Sequence, residues 1–210
     1  MVENVVISYF NVESEAYQAL SELKTKCTNV DGITLSQVAL IKKDYGQIRF
    51  KDGFDTGEQT NDDTWKGGLI GSFVGILGGP LGMLLGLGVG SMVGAVKDTT
   101  DAVDEGSLIY SVASRMQDGD VAIAAVIQEE SEAIYDRIIS PFDATTIRYD
   151  AAVIQEEVEH AREVQRGLEK QAAQQMREAR SEARHAKITE YKEKVKAEFN
   201  ELKDWLKKND

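Results

Sequence analysis

Thirty consecutive residues, Gly67 to Val96, carry no charge, and glycine recurs through them at every fourth position. Gly67, Gly71, Gly75 and Gly79 form one series, and Gly78, Gly82, Gly86, Gly90 and Gly94 form a second. Glycine inside a helix costs about 1 kcal/mol relative to alanine, so two such stripes call for a compensating interaction. Close approach of two backbones supplies one, the small-xxx-small logic of paired membrane helices. The other positions, among them Leu69, Ile70, Phe73, Ile76, Leu77, Leu81, Leu84 and Met92, are apolar on nearly every side. Helices of that kind are buried in protein or in lipid.

Gly78-Gly79-Pro80 interrupts the run, with glycine past one helix end and proline opening the next. The pattern predicts a helical hairpin over 64–97, with arms at 64–77 and 80–96. At 1.5 Å per residue these arms are roughly 20 and 25 Å long. A hydrocarbon core of about 30 Å asks for more. The expectation is a re-entrant or bilayer-thinning insertion, or else the buried seam of a soluble oligomer. Lys66 and Lys97 bracket the stretch as snorkelling lysines at one interface would. A phosphate-binding loop is disfavoured: there is no GxxxxGK[ST] string, and Gly86-x-Gly88 followed by Ser91 lacks its third glycine and a preceding strand.

The net charge of −12 is unevenly placed. Residues 1–150 hold 11 Lys+Arg against 23 Asp+Glu, whereas residues 151–210 hold 13 of each. An acidic head without a basic patch argues against nucleic acid as a partner. It also gives the head no electrostatic attraction to anionic lipid, so any membrane contact is expected to come from apolar insertion. Cys27 is the only cysteine, which excludes an intrachain disulfide and suits a reducing compartment. The opening Met1-Val2-Glu3-Asn4 has no basic n-region, so no signal peptide is expected.

Asn4–Phe10 reads as a strand, 13–26 as a helix, and 33–42 and 47–51 as strands joined at Asp44-Tyr45-Gly46. After the glycine stretch come a helix over 105–117, a strand over 121–127, a short helix capped by Ser131 and ended by Pro141, and a strand over 144–149. Without the hairpin the order is β-α-β-β-α-β, then α-β. The expected fold class is therefore α+β: a ferredoxin-like head over 1–63 and 98–149, with the glycine-zipper hairpin inserted between the third strand and the second helix. Residues 150–210 read as one long charged amphipathic helix, or two with a break near Gly167. Its apolar positions recur with a mean step near 3.7, closer to an eleven-residue than to a heptad repeat. Tyr191, Val195, Phe199, Leu202, Trp205 and Leu206 are the tail residues able to pack against a partner.

Candidate chemistry is sparse. Glu157-x-x-His160 and Glu182-x-x-His185 match half of a di-iron ligand set. They lie 25 residues apart on one expected helix, roughly 37 Å at the helical rise. The acidic connectors, with Asp62-Asp63 and with Asp98, Asp101 and Asp104, lack calcium-loop spacing. There is no G-x-S-x-G and no H-E-x-x-H. No catalytic residue, metal or cofactor is expected, and no small-molecule substrate is inferred.

The opening strand NVVISYF, the helix ESEAYQALSELK, the strand hairpin VALIKKDYGQIRFK, the insertion GGLIGSFVGILGGPLGMLLGLGVGSMVGAV and the closing β-α-β segments together resemble a bacterial family known as domain of unknown function 1269, over about residues 3–149. The resemblance implies membrane association and supplies no site residue. The tail from 150 onward is longer than that pattern. A non-enzymatic protein on the cytoplasmic side of the cell membrane is expected, self-assembling through its glycine hairpin in a structural or stress-linked role. A homo-oligomer and membrane lipid are the expected partners. The alternatives are a soluble homo-oligomeric shell, ring or filament with the hairpins as its core, and a small membrane pore.

Overall fold

The central strand of a sheet buried on both faces reads as a nearly continuous apolar run, and one segment here fits. β4 (Val121–Glu129, VAIAAVIQE) occupies the middle of a five-stranded antiparallel sheet of order β3-β2-β4-β1-β5 in the computed structural model. The structure describes residues 2–26, 31–56, 68–86 and 107–208. β4 pairs with β1 (Val2–Phe10) on one side and with β2 (Ile33–Asp44) on the other. β1 carries the edge strand β5 (Ala144–Asp150), and β2 carries the opposite edge strand β3 (Gln47–Asp55). The fold class is α+β, as expected.

The order differs from the expected plan, in which the third strand lies between β2 and β1. That place belongs to β4, and β3 is the outer strand. The reason is compositional. In β3 only Ile48 and Phe54 are buried, while Arg49, Lys51 and Asp52 are exposed. Such a strand fits an edge, where charged side chains also discourage pairing with other chains. Lys51 is held there by Asp44 at 2.7 Å.

Side chains alternate across the sheet, and both faces are covered. On one face α1 (Glu13–Lys26) and α5 (Glu132–Ile139) pack over Val6, Phe10, Leu35, Val38, Ile123 and Ile127. Over the other lie α2 (Leu69–Leu77), α3 (Pro80–Gly86), α4 (Leu108–Arg115) and the first turns of α6 (Ala151–Lys208). Here Val5, Ile7, Ala39, Ile41, Ala122 and Ala124 of the sheet and Ile70, Phe73, Ile76, Leu81, Val112 and Ile154 of the helices are all within 2% of complete burial.

The chain forms two compact units, residues 1–166 and 167–210. The first sixteen residues of α6 thus belong to the head unit, where Ile154, Val158 and Ala161 are buried. Asp150 caps α6, its Oδ1 accepting from the N–H groups of Ala152 at 2.8 Å and Val153 at 3.3 Å. The second unit is helical through Lys208. α6 has no break at Gly167, so the long-helix form of the expectation holds.

The apolar series does not run along a single face of α6. It steps by five residues from Ala186 to Tyr191, and at roughly 100° per residue this turns the stripe by about 140°. The mean spacing of 3.7 conceals that shift.

Candidate functional site

The glycine stretch breaks where expected. Gly78 ends α2, its N–H bonding Val74 O at 2.9 Å, and Pro80 opens α3. Over the described residues the chain bends by 59° here and does not reverse. No single described helix is long and apolar enough to cross a membrane; α2 and α3 pass that test only together, as a bent pair. The expected second arm beyond Gly86, and with it Gly90, Gly94 and Lys97, lies outside the described residues, as do Lys66 and Gly67.

The two glycine series have different surroundings. In the second, a methyl group on Gly78 would stand 2.7 Å from Ile48 O of β3. One on Gly82 would overlap the Leu77 backbone, and one on Gly86 would lie 3.1 Å from both Ala113 O and Lys43 Nζ. These glycines let the end of α2 press on β3, and α3 on α2 and α4, of its own chain. In the first series, a methyl group on Gly79 would stand 2.6 Å from the Gln165 amide oxygen of α6, whereas Gly75 is exposed and one there would meet none of the described residues within 4 Å. Gly71, one turn earlier on that side of α2, is half-buried.

Side chains from distant parts of the sequence hold this layer. A bulge between Leu35 and Gln37 turns Gln37 toward α2. Its Oε1 accepts from Ile70 N–H at 3.0 Å, doing the work of the N-cap side chain that Gly68 lacks. α4 is held at both ends. The Glu157 carboxylate of α6 accepts from Leu108 N–H at 2.9 Å, and Ser107 Oγ accepts from Tyr110 N–H at 3.1 Å. At the other end Lys43, only 6% exposed, donates to Met116 O at 2.7 Å and Ala113 O at 3.1 Å. Negative charge at a helix start and positive charge at its end both complement the helix dipole.

A second polar centre joins α5 to the sheet. Arg148 of β5 donates to Glu129 Oε1 at 2.8 Å and to Asp136 Oδ1 at 2.7 Å, and its guanidinium lies 5.6 Å from the Tyr135 ring centroid. Burial alone disfavours the arginine charge, but the Glu129 and Asp136 carboxylates outweigh it and the pKa is raised. Glu129 is 3% exposed; Asn4 Nδ2 also donates to its Oε1 at 3.4 Å, and its Oε2 has no hydrogen-bond partner. Beside it, Ser8 Oγ lies 2.9 Å from Tyr135 Oη and 2.8 Å from Thr146 Oγ1. Hydroxyls bonded to hydroxyls leave Ser8 without a base, so this centre is a staple between layers.

On the α4 side of β1, Tyr9 lies under Arg115, whose guanidinium carbon is 4.3 Å from the ring centroid. Its phenol has no hydrogen-bond partner. Burial pushes its pKa up to about 12, Arg115 pulls the other way, and Tyr149 adds to the rise. Folded Tyr9 therefore keeps its proton between about pH 10 and pH 12 while the unfolded chain loses it, so this residue's contribution to stability declines across that interval. Alkaline absorbance titration is expected to show one of the seven tyrosines ionising near pH 12. In Tyr9→Phe that step should vanish at little cost in stability, because the lost hydroxyl had no partner.

His160 and His185 are exposed, and among the described residues no cluster of three metal-ligating side chains is gathered. Tyr191 and Val195 are exposed; Phe199, Leu202, Trp205 and Leu206 fall on the helical backbone of α6, and their side chains, like Cys27 and the acidic connectors from residue 57 onward, lie outside the described residues. Sequence reasoning passed over Lys43, Glu129 and Arg148. The signal was present in the strand alternation: Lys43 shares a face with Ala39 and Ile41, and Glu129 shares one with Ala125 and Ile127. Comparison with known proteins returns no match among family models, curated proteins or solved structures.

Proposed function

We propose that the chain is a non-enzymatic protein that self-assembles through the outward side of α2 and works at the cytoplasmic side of a membrane, in a structural or stress-linked role. Gly75 carries the assembly part of this reading. Among the described residues none makes use of the missing side chain, because none lies within 4 Å of where it would stand. A mid-helix glycine that forgoes about 1 kcal/mol is accounted for when a second backbone approaches at that point.

The expected zipper thus narrows to the side of α2 that bears Gly71 and Gly75. Size-exclusion chromatography with light scattering tests it. Gly75→Leu should reduce the assembly to a smaller species without loss of helix content, and an oligomer of unchanged size would count heavily against this contact.

A second reading is a soluble homo-oligomeric shell, ring or filament. The burial of Ile70, Phe73, Ile76, Leu77 and Leu81 favours it, because these apolar side chains of the glycine stretch are already covered by protein. Fractionation of expressing cells with an alkaline carbonate wash separates the two: retention in the pellet supports the first, and a large species in the soluble fraction the second.

The ferredoxin-like reading of the head draws support from the order β2-β4-β1-β5 with α1 and α5 on one face. On that reading the insertion comprises β3, α2, α3 and α4, and follows the second strand of the motif. The same elements underlie the likeness to the family of domain of unknown function 1269.

A further inference from the structure

The last 22 residues of α6 combine an apolar stripe with an ordered arrangement of charge. At roughly 100° per residue, Ile188, Tyr191, Val195, Phe199, Leu202 and Leu206 fall within about 40° of one line along the helix. In the structure Ile188, Tyr191 and Val195 are 40%, 61% and 50% exposed. Lys187, Lys192, Lys194, Lys196, Lys203 and Lys207 fall roughly 60–120° to either side of that line. Glu190, Glu193 and Asp204 fall on the far side, and Trp205 stands at the border of the stripe. Glu198 and Glu201 fall on the flank that bears Lys187 and Lys194.

We infer that residues 187–208 form a lipid-contacting helix that lies along an anionic phospholipid surface, with Val195 at the centre of the buried stripe. The inference rests on the membrane-associated part of the proposed function and moves the point of contact from the glycine stretch to the tail. A helix lying in the interface buries an apolar face rich in leucine and aromatic residues below the headgroups and keeps lysine above it. Lysines at the border reach the phosphates with their ammonium groups while their stems cover the acyl boundary, and tryptophan favours the same depth.

The segment carries seven lysines against five acids in a chain whose net charge is −12. Lys194 is shared with Glu190 at 2.9 Å, an exposed pair one helical turn apart and weak for that reason. Lys192, Lys196, Lys203 and Lys207 form one flank without an acid, which suits an anionic surface and in an antiparallel pair of copies would meet itself.

Flotation of the full chain with phosphatidylcholine vesicles, with and without phosphatidylserine, tests the assignment. The chain should float with the phosphatidylserine vesicles, and far less without that lipid or at high salt. Each lysine near such a surface adds roughly fivefold to affinity. Lys192→Gln/Lys196→Gln should therefore bind about 25-fold more weakly, and Val195→Asp should not float, both with unchanged circular dichroism. Three results would overturn the inference. If Val195→Asp still floats, the glycine stretch is the contact and membrane association stands. If Val195→Asp changes the assembly size and not flotation, a second copy covers the stripe. If wild type floats with neither vesicle the tail does not bind lipid, and the carbonate-wash fractionation then decides membrane association separately.

Discussion

Replacing Arg148 by methionine is expected to destabilise the head by about 3–5 kcal/mol, the range found when one partner of a buried ion pair is removed. Methionine keeps much of the aliphatic stem, so little of the loss comes from packing. The loss comes from Glu129. With its carboxylate 3% exposed and Oε2 already without a partner, it would retain only the 3.4 Å contact from Asn4. Asp136 and Glu132 also face Arg148, but their side chains are 50% and 71% exposed and water can replace what they lose. The double variant Arg148→Met/Glu129→Met removes both charges and should regain most of the loss, since an apolar pair of similar volume often matches a buried ion pair. Urea unfolding of wild type, both single variants and the double variant gives the coupling energy. Additive effects would mean that the two residues act independently and that the staple between β5 and α5 lies elsewhere.

Much of the head is legible because local chemistry and apolar period agree in it. β1, α1 and the break at Gly78-Gly79-Pro80 each follow from a β-branched run, a 3.6-residue period or a turn signal, and none depends on a distant partner. The outer position of β3 also has a signal in the charged Arg49, Lys51 and Asp52, whereas the ferredoxin-like plan places its third strand inside the sheet. The Arg148 centre was less accessible. Ala144-Thr145-Thr146-Ile147-Arg148 reads as an ordinary half-polar strand, and Glu129 is nineteen residues away on a strand that touches β1 and not β5. Only the strand order brings them together. The glycines present a different difficulty. A missing side chain marks where something comes close without saying what, and a period of four looks the same whether the neighbour is Ile48 O, a second copy or lipid.

That ambiguity becomes a contrast between two single substitutions. Gly82→Leu is expected to cost more than about 3 kcal/mol, beyond the usual 1–3 for overpacking, because its first atom already overlaps the Leu77 backbone. A backbone cannot rotate aside as a side chain can, so relief requires separating α3 from α2. The gain from leaving glycine, about 0.5–1 kcal/mol in a helix, is too small to offset that. Gly86→Leu acts on the same layer through different atoms: it presses on Lys43 Nζ and Ala113 O, and displacing the ammonium leaves the last carbonyls of α4 without their donor.

Gly75→Leu should do the reverse. Its side chain meets none of the described residues, so the dissociated chain gains the helix-propensity term, up to about 1 kcal/mol, while the assembly loses its closest approach. Chemical denaturation at low protein concentration, below the assembly range, reads the first effect, and scattering at high concentration reads the second. If Gly75→Leu destabilised the dissociated chain as strongly as Gly82→Leu, both series would serve internal packing, and contact between copies would have to be sought outside α2.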